Sequence, residues 1–270
     1  MFNKKKHLGL NSGFNAPFSL RSGSGSTDVL AELFTSVGAT YGWDSESLDI
    51  TGTTTTAIER GGSGINPANP AAANQPDYTA IDAGFNNHPS LNFVSSDPNY
   101  LLKNTANFGA GVTSGMIWCV FHTTILGVFE PIFSASDNAT NNAKFMIYKD
   151  SSDVFRIILN NGTLNNGLGI PTALSANTTY IFAFQSNGTL NDGWINKTNS
   201  FTMWLGGNSG NWLNYANTAG TLNNLAIGAR INTSSVYGSG KLGLIWTTPV
   251  LTTTDRNNFF DELNAYYNAY

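Results

Sequence analysis

From residue 90 onward the chain alternates apolar and polar positions with a period of two. The longest such run is Met116 to Leu126, with Trp118, Val120 and His122 on one face and Ile117, Cys119 and Phe121 on the other. Both faces are largely apolar, which predicts a central strand covered on both sides. Shorter runs at Ser90–Val94, Val128–Phe133, Lys144–Tyr148, Val154–Leu159, Thr179–Gln185, Phe201–Leu205, Asn224–Ile227 and Leu242–Trp246 predict further strands. Asn-Gly, Asn-Asn-Gly and Gly-Asn-Ser-Gly segments between them suit tight turns that need positive φ. Short strands with turn signals and no intervening helix predict antiparallel sheets in a sandwich or barrel.

Two segments change period. Val29, Leu30, Leu33 and Val37 form one stripe behind Asp28 or Thr27 as N-cap, which predicts a short helix. Phe259, Phe260, Leu263, Tyr266, Tyr267 and Tyr270 recur at helical spacing behind Thr254-Asp255, predicting an amphipathic terminal helix packed on the sandwich or on a partner chain. Three prolines between Asn66 and Pro76 predict a long surface loop.

Composition narrows the classes of function. At 270 residues with 41% apolar positions the chain is large enough for a substantial core. Charged residues are only 11%, against about 25% in ordinary soluble domains. Asn, Thr, Ser and Gly take their place, a surface suited to sugar hydroxyls or to a neighbouring subunit. The net charge of −4 speaks against nucleic acid. Cys119 is the lone cysteine, so an intrachain disulfide is excluded. No run of 18 apolar residues occurs, so no membrane-spanning helix is expected.

Residues 1–27 stand apart as an arm before a domain at 28–270. They carry Lys4, Lys5, Lys6 and Arg21 and no acid, a formal +4 against −8 for the remainder. Lys4–Lys6 are not followed by an apolar run, so a standard secretory signal is not expected. Arg21-Ser22-Gly23-Ser24-Gly25-Ser26-Thr27 has the composition of a linker. The arm reads either as a solvated tail or as an anchor onto other subunits, and the anchor is the expectation carried forward.

Three segments together carry a family resemblance. They are Tyr41-Gly42-Trp43-Asp44 with Gln75-Pro76-Asp77-Tyr78 and Asn87 to Phe93; Leu225 to Arg230 with Gly238 to Ile245; and Leu251 to Arg256 leading into Leu263-Asn264-Ala265-Tyr266-Tyr267. In that order they resemble the laminin-G-like, concanavalin-A-like lectin domains of phage virion proteins and bacterial surface proteins. The resemblance implies an all-β, two-sheet antiparallel jelly-roll sandwich with a short C-terminal helix closing one end. It also implies ligands on the concave face or rim loops. Trp43 and Phe93 should fill the core, and Gly228 should turn the chain sharply out of a strand.

A glycosidase needs two carboxylates flanking the scissile bond, yet Glu32, Glu46, Glu59, Glu130 and Glu262 are scattered along the chain. The nearest pairing, Asp150 with Asp153, falls in an expected turn. Cys119 and His122 point to opposite faces of one strand and cannot form a catalytic pair. Asp44, Asp49 and Asp137 are candidate calcium ligands, and no other cofactor is expected. For glycan binding, Trp194, Asn208, Asn211, Trp212 and Tyr215 combine aromatic platforms with amides in an Asn-rich region. The expected function is therefore a non-enzymatic virion structural protein, a phage capsid, spike or fibre component. It would be a homo-oligomer bound to other virion proteins through its arm and recognising host glycan. The alternatives are a free carbohydrate-binding module of a bacterial surface system and a glycoside hydrolase.

Overall fold

The computed structural model describes residues 28–104, 106–109, 114–137, 143–161, 165–186, 191–203, 222–231 and 235–270. Two antiparallel sheets face each other across one apolar core. The first sheet has eight strands. Along its main path they are β14 (Thr198–Met203), β13 (Asn191–Ile195), β12 (Thr178–Ser186), β7 (Gly115–Thr123), β18 (Gly240–Thr248), β5 (His88–Phe93) and β4 (Asp77–Asp82). The eighth, β1 (Tyr41–Asp44), pairs with the far half of β18. The second sheet orders β11 (Asn165–Ala173), β10 (Val154–Asn161), β9 (Ala143–Lys149), β8 (Glu130–Ser136), β15 (Asn224–Ile227) and β6 (Leu101–Asn104). Two small ribbons, β2 (Leu48–Thr51) with β3 (Thr54–Ala57) and β16 (Ala229–Arg230) with β17 (Val236–Tyr237), complete the strands.

Strand β7 behaves as its sequence demands. Every one of its residues is buried. Ile117, Cys119 and Phe121 enter the core between the sheets with Trp43, Phe93, Phe133, Phe145 and Phe182. Met116, Trp118 and Val120 point the other way into a second apolar layer. That layer is made by two helices, α1 (Val29–Ser36) and α2 (Thr253–Tyr267).

The terminal helix does not close an end of the sandwich; it lies across the outer face of the first sheet. Phe259 and Phe260 meet the Trp118 ring at centroid distances of 4.5 and 4.9 Å, and Tyr267 packs edge-on against Phe85. Full burial of each such side chain is worth about 1.5–3 kcal/mol, an upper bound. This explains why a strand with two apolar faces is stable: one face has the second sheet and the other has helices. The helix begins two residues before the expected cap. Thr252 caps it, its hydroxyl accepting from the Asp255 amide at 3.1 Å. Tyr270, expected on the stripe, is exposed.

Gly228 turns the chain out of β15 at φ +78. A Cβ there would lie 2.1 Å from Cδ1 of buried Phe93. The turned segment crosses the outer face of β8, where the Ser134 and Ser136 hydroxyls donate to the Ala229 and Ile231 carbonyls at 2.8 and 2.7 Å.

Candidate functional site

The Tyr41–Asp44 strand builds the densest charged cluster among the described residues. Alternation along β1 sends Trp43 into the core and Asp44 to the helix side. Asp44 is buried, and five N–H donors reach its two carboxylate oxygens, two of them the Glu46 and Ser47 backbone amides at 3.1 and 3.0 Å. Arg60 Nε and Nη2 approach at 2.5 and 2.8 Å, and Trp246 Nε1 donates at 3.1 Å. The same guanidinium grips Asp28 with Nη1 at 2.7 Å and Nη2 at 3.2 Å. Asp28 in turn caps α1, accepting from the Ala31 amide at 2.9 Å. Arg60 therefore ties the first helix to the first strand. Burial pushes the Asp44 carboxyl up, and the fork of Arg60 opposes it; Arg60, held between two carboxylates despite its own burial, stays charged.

Two further carboxylates border the cluster. Glu59 accepts the backbone amides of Gly42, Gly61 and Ser63 at 3.0, 2.6 and 2.7 Å. Glu46 accepts from the Tyr266 hydroxyl, whose ring stacks on His88 at 3.5 Å. Between α1 and these residues opens a cleft of about 420 Å³, lined by Ala31, Phe34, Thr35, Glu46, Ser47, Leu48, Ile58, Glu59 and Arg60. The glutamates that are scattered in sequence are thus partly gathered in space. Glu59 is committed to backbone amides and Glu46 to Tyr266, which suits scaffolding rather than the acid and base roles of hydrolysis. The adjacent Glu59-Arg60 pair, in a Thr/Gly-rich stretch of a charge-poor chain, was the available sequence signal for this cluster.

The expected catalytic and metal candidates separate. Cys119 lies in the core with its thiol pushed up by burial. His122 sits on the opposite face, 2.9 Å from the Thr179 hydroxyl, and burial holds its imidazole below the usual range. Asp150 pairs with Arg156, and Asp153 pairs with Lys149 at 2.8 Å. Of the calcium candidates, Asp44 is occupied by Arg60, Asp49 accepts from the Thr51 hydroxyl at 3.0 Å, and Asp137 ends β8 half-buried. Among the described residues no group of three or more His, Cys, Asp or Glu is placed to hold a metal ion.

The glycan candidates divide along one sheet edge. Trp194 lies on β13, not in a loop, and is 2% exposed. The Arg256 guanidinium sits 4.2 Å above its ring, so Trp194 offers no open face to a sugar. Asn208, Asn211, Trp212 and Tyr215 lie outside the described residues, as do Lys4, Lys5, Lys6 and Arg21. The sheet register fixes one rim of the described strands. Gly115 pairs with Ser186, Ser186 with Asn191, and Asn191 with Met203. The strand ends Gly115, Ser186, Asn191 and Met203 therefore lie along one rim of the first sheet.

No family model matches this chain, and no curated protein matches it. Solved structures do. The carbohydrate-binding module CBM40 of the Ruminococcus gnavus IT-sialidase matches with a TM-score of 0.50 and 15% identity, over 66% of this chain and 97% of that one. Botulinum neurotoxin type C, in a structure reported for its interaction with two ganglioside molecules, matches with a TM-score of 0.51 and 12% identity. That match covers 87% of this chain and 53% of the toxin chain. At such identities the likeness is one of fold, and the fold is the β-sandwich jelly roll of carbohydrate-binding modules.

Proposed function

We propose that this chain is a non-catalytic glycan-binding module, with the rim beyond Gly115, Ser186, Asn191 and Met203 as its sugar-binding edge. The observation that supports the reading is the register that aligns Gly115, Ser186, Asn191 and Met203 along one rim, and the sequence that follows Met203 is rich in Asn. Trp212 and Tyr215 there supply stacking surfaces, and Asn208 and Asn211 supply amides for sugar hydroxyls. Trp194 acts from beneath, fixing β13 under Arg256. The carbohydrate-binding fold and the charge-poor composition support the same reading. A screen of the full chain on an array holding neutral and sialylated glycans tests it: binding to at least one class is expected, and a blank array refutes it.

The finer proposal is that the module is displayed on a phage virion, as a capsid, spike or fibre component, with residues 1–27 as its anchor. It rests on the sequence resemblance and on the +4 arm. Mass spectrometry of purified particles should find the chain at fixed copy number. Recovery only as free protein would replace this proposal with a free carbohydrate-binding module.

A further inference from the structure

We propose that, in the free chain before any anchoring to other subunits, the cleft beneath α1 is the docking site for the basic N-terminal arm, residues 1–27, of the same chain. The cleft has two kinds of wall. Phe34, Leu48 and Ile58 supply an apolar floor, and Ile58 is 38% exposed. Glu46 supplies an acidic rim, with Asp28 at its end and buried Glu59 behind it. Asp28 and Asp44 share the single guanidinium of Arg60, while Glu59 is held by backbone amides and Glu46 by the Tyr266 hydroxyl, so four carboxylates stand around one cation and leave an excess of negative charge. The arm has the complementary character. Its four cations carry no acid between them, and they alternate with apolar groups: Lys4 to Lys6 lead into Leu8 and Leu10, and Phe18 and Leu20 lead into Arg21.

Chain geometry favours the arm over other occupants. The arm enters the fold at Asp28, whose carboxylate already contacts Arg60 on the cleft wall. Arg21 is seven residues upstream, a reach of up to about 25 Å, and Lys4–Lys6 have a longer tether. A tether of this length holds the arm near the cleft at an effective concentration on the order of millimolar, so weak charge pairing suffices. The docking is electrostatic at its rim and must weaken with salt, because the screening length falls from about 10 Å at 0.1 M to about 3 Å at 1 M.

The test uses the full chain, as an equal mixture of ordinary and ¹⁵N-labelled protein treated with a zero-length carbodiimide cross-linker. Lys4, Lys5 or Lys6 should join Glu46 or Asp28 within a single isotope, and the yield should fall about fivefold or more from 0.1 to 1 M NaCl. In parallel, the variant carrying Lys4→Gln, Lys5→Gln, Lys6→Gln and Arg21→Gln should shift the amide resonances of Ala31, Ser47 and Ile58. Three outcomes overturn the proposal. The lysines join Asp97 or Asp261 as readily as the cleft carboxylates; mixed-isotope products dominate, which assigns the cleft to a second copy's arm; or the cleft amides do not move.

Discussion

Replacing Gly228 by alanine probes the joint on which the second sheet's covering segment turns. Two costs add. At φ +78 an alanine sits in the left-handed region, which costs about 1–2 kcal/mol. Its Cβ would also fall 2.1 to 2.7 Å from three atoms of the Phe93 ring, a side chain only 3% exposed. Relieving that overlap means overpacking a filled core, about 1–3 kcal/mol. Gly228→Ala should therefore cost about 2–5 kcal/mol, a large share of a typical domain's 5–15 kcal/mol. Gly127→Ala is the control. Its φ is +76, but its Cβ would meet nothing within 4 Å, so only the backbone cost applies. Urea unfolding at 25 °C, read at unchanged m, gives both values. Equal losses in the two variants would refute the packing of Phe93 beneath Gly228.

Three more perturbations follow from the same geometry. Arg60→Ala strands buried Asp44 and should cost about 3–5 kcal/mol in urea unfolding, with Arg60→Lys restoring little because it lacks the fork that grips two carboxylates; a loss below about 1 kcal/mol would contradict the bridge. Burial pushes the Glu130 carboxyl up to about 7 against the pull of Lys149, from an ordinary 4.5. Because the folded state then holds the proton more tightly, the contribution is full below about 4.5 and lost as pH rises through about 7. Glu130→Gln should accordingly flatten the stability curve across that window by up to ~3 kcal/mol, and identical slopes in variant and wild type would count against it. Cys119, buried with its thiol pushed up, should react with a thiol reagent only on global unfolding; rapid labelling of native protein would disprove its placement.

How far the fold could be read from sequence depended on how local the deciding physics was. Strand β15 matches the run Asn224–Ile227, and β7, β12 and β18 match theirs within a few residues, because burial on both faces leaves an uninterrupted apolar signature. Helix α1 and its Asp28 cap were equally legible, since capping is a contact within three residues. Strand β13 was not. Its Asn191-Asp192-Gly193 start has turn chemistry, and pairing with β12 and β14 overrides it. Strand β11 contains two glycines and Pro171 and has no alternation to detect. The Asp28–Asp44–Arg60 cluster joins residues 16 and 32 positions apart, so it exists only once the fold brings them together. Trp194 was legible as important but not in its role, because only the tertiary structure places Arg256 over it.

The central claim, glycan recognition at the rim of the first sheet, is tested most directly by calorimetric titration of the full chain with the strongest array ligand, beside Trp212→Ala. Measurable binding by the wild type is expected, with a loss of about tenfold or more in the variant because a central aromatic anchor is removed. Undiminished binding by Trp212→Ala would move the site away from this rim. No heat with any glycan would contradict the account itself.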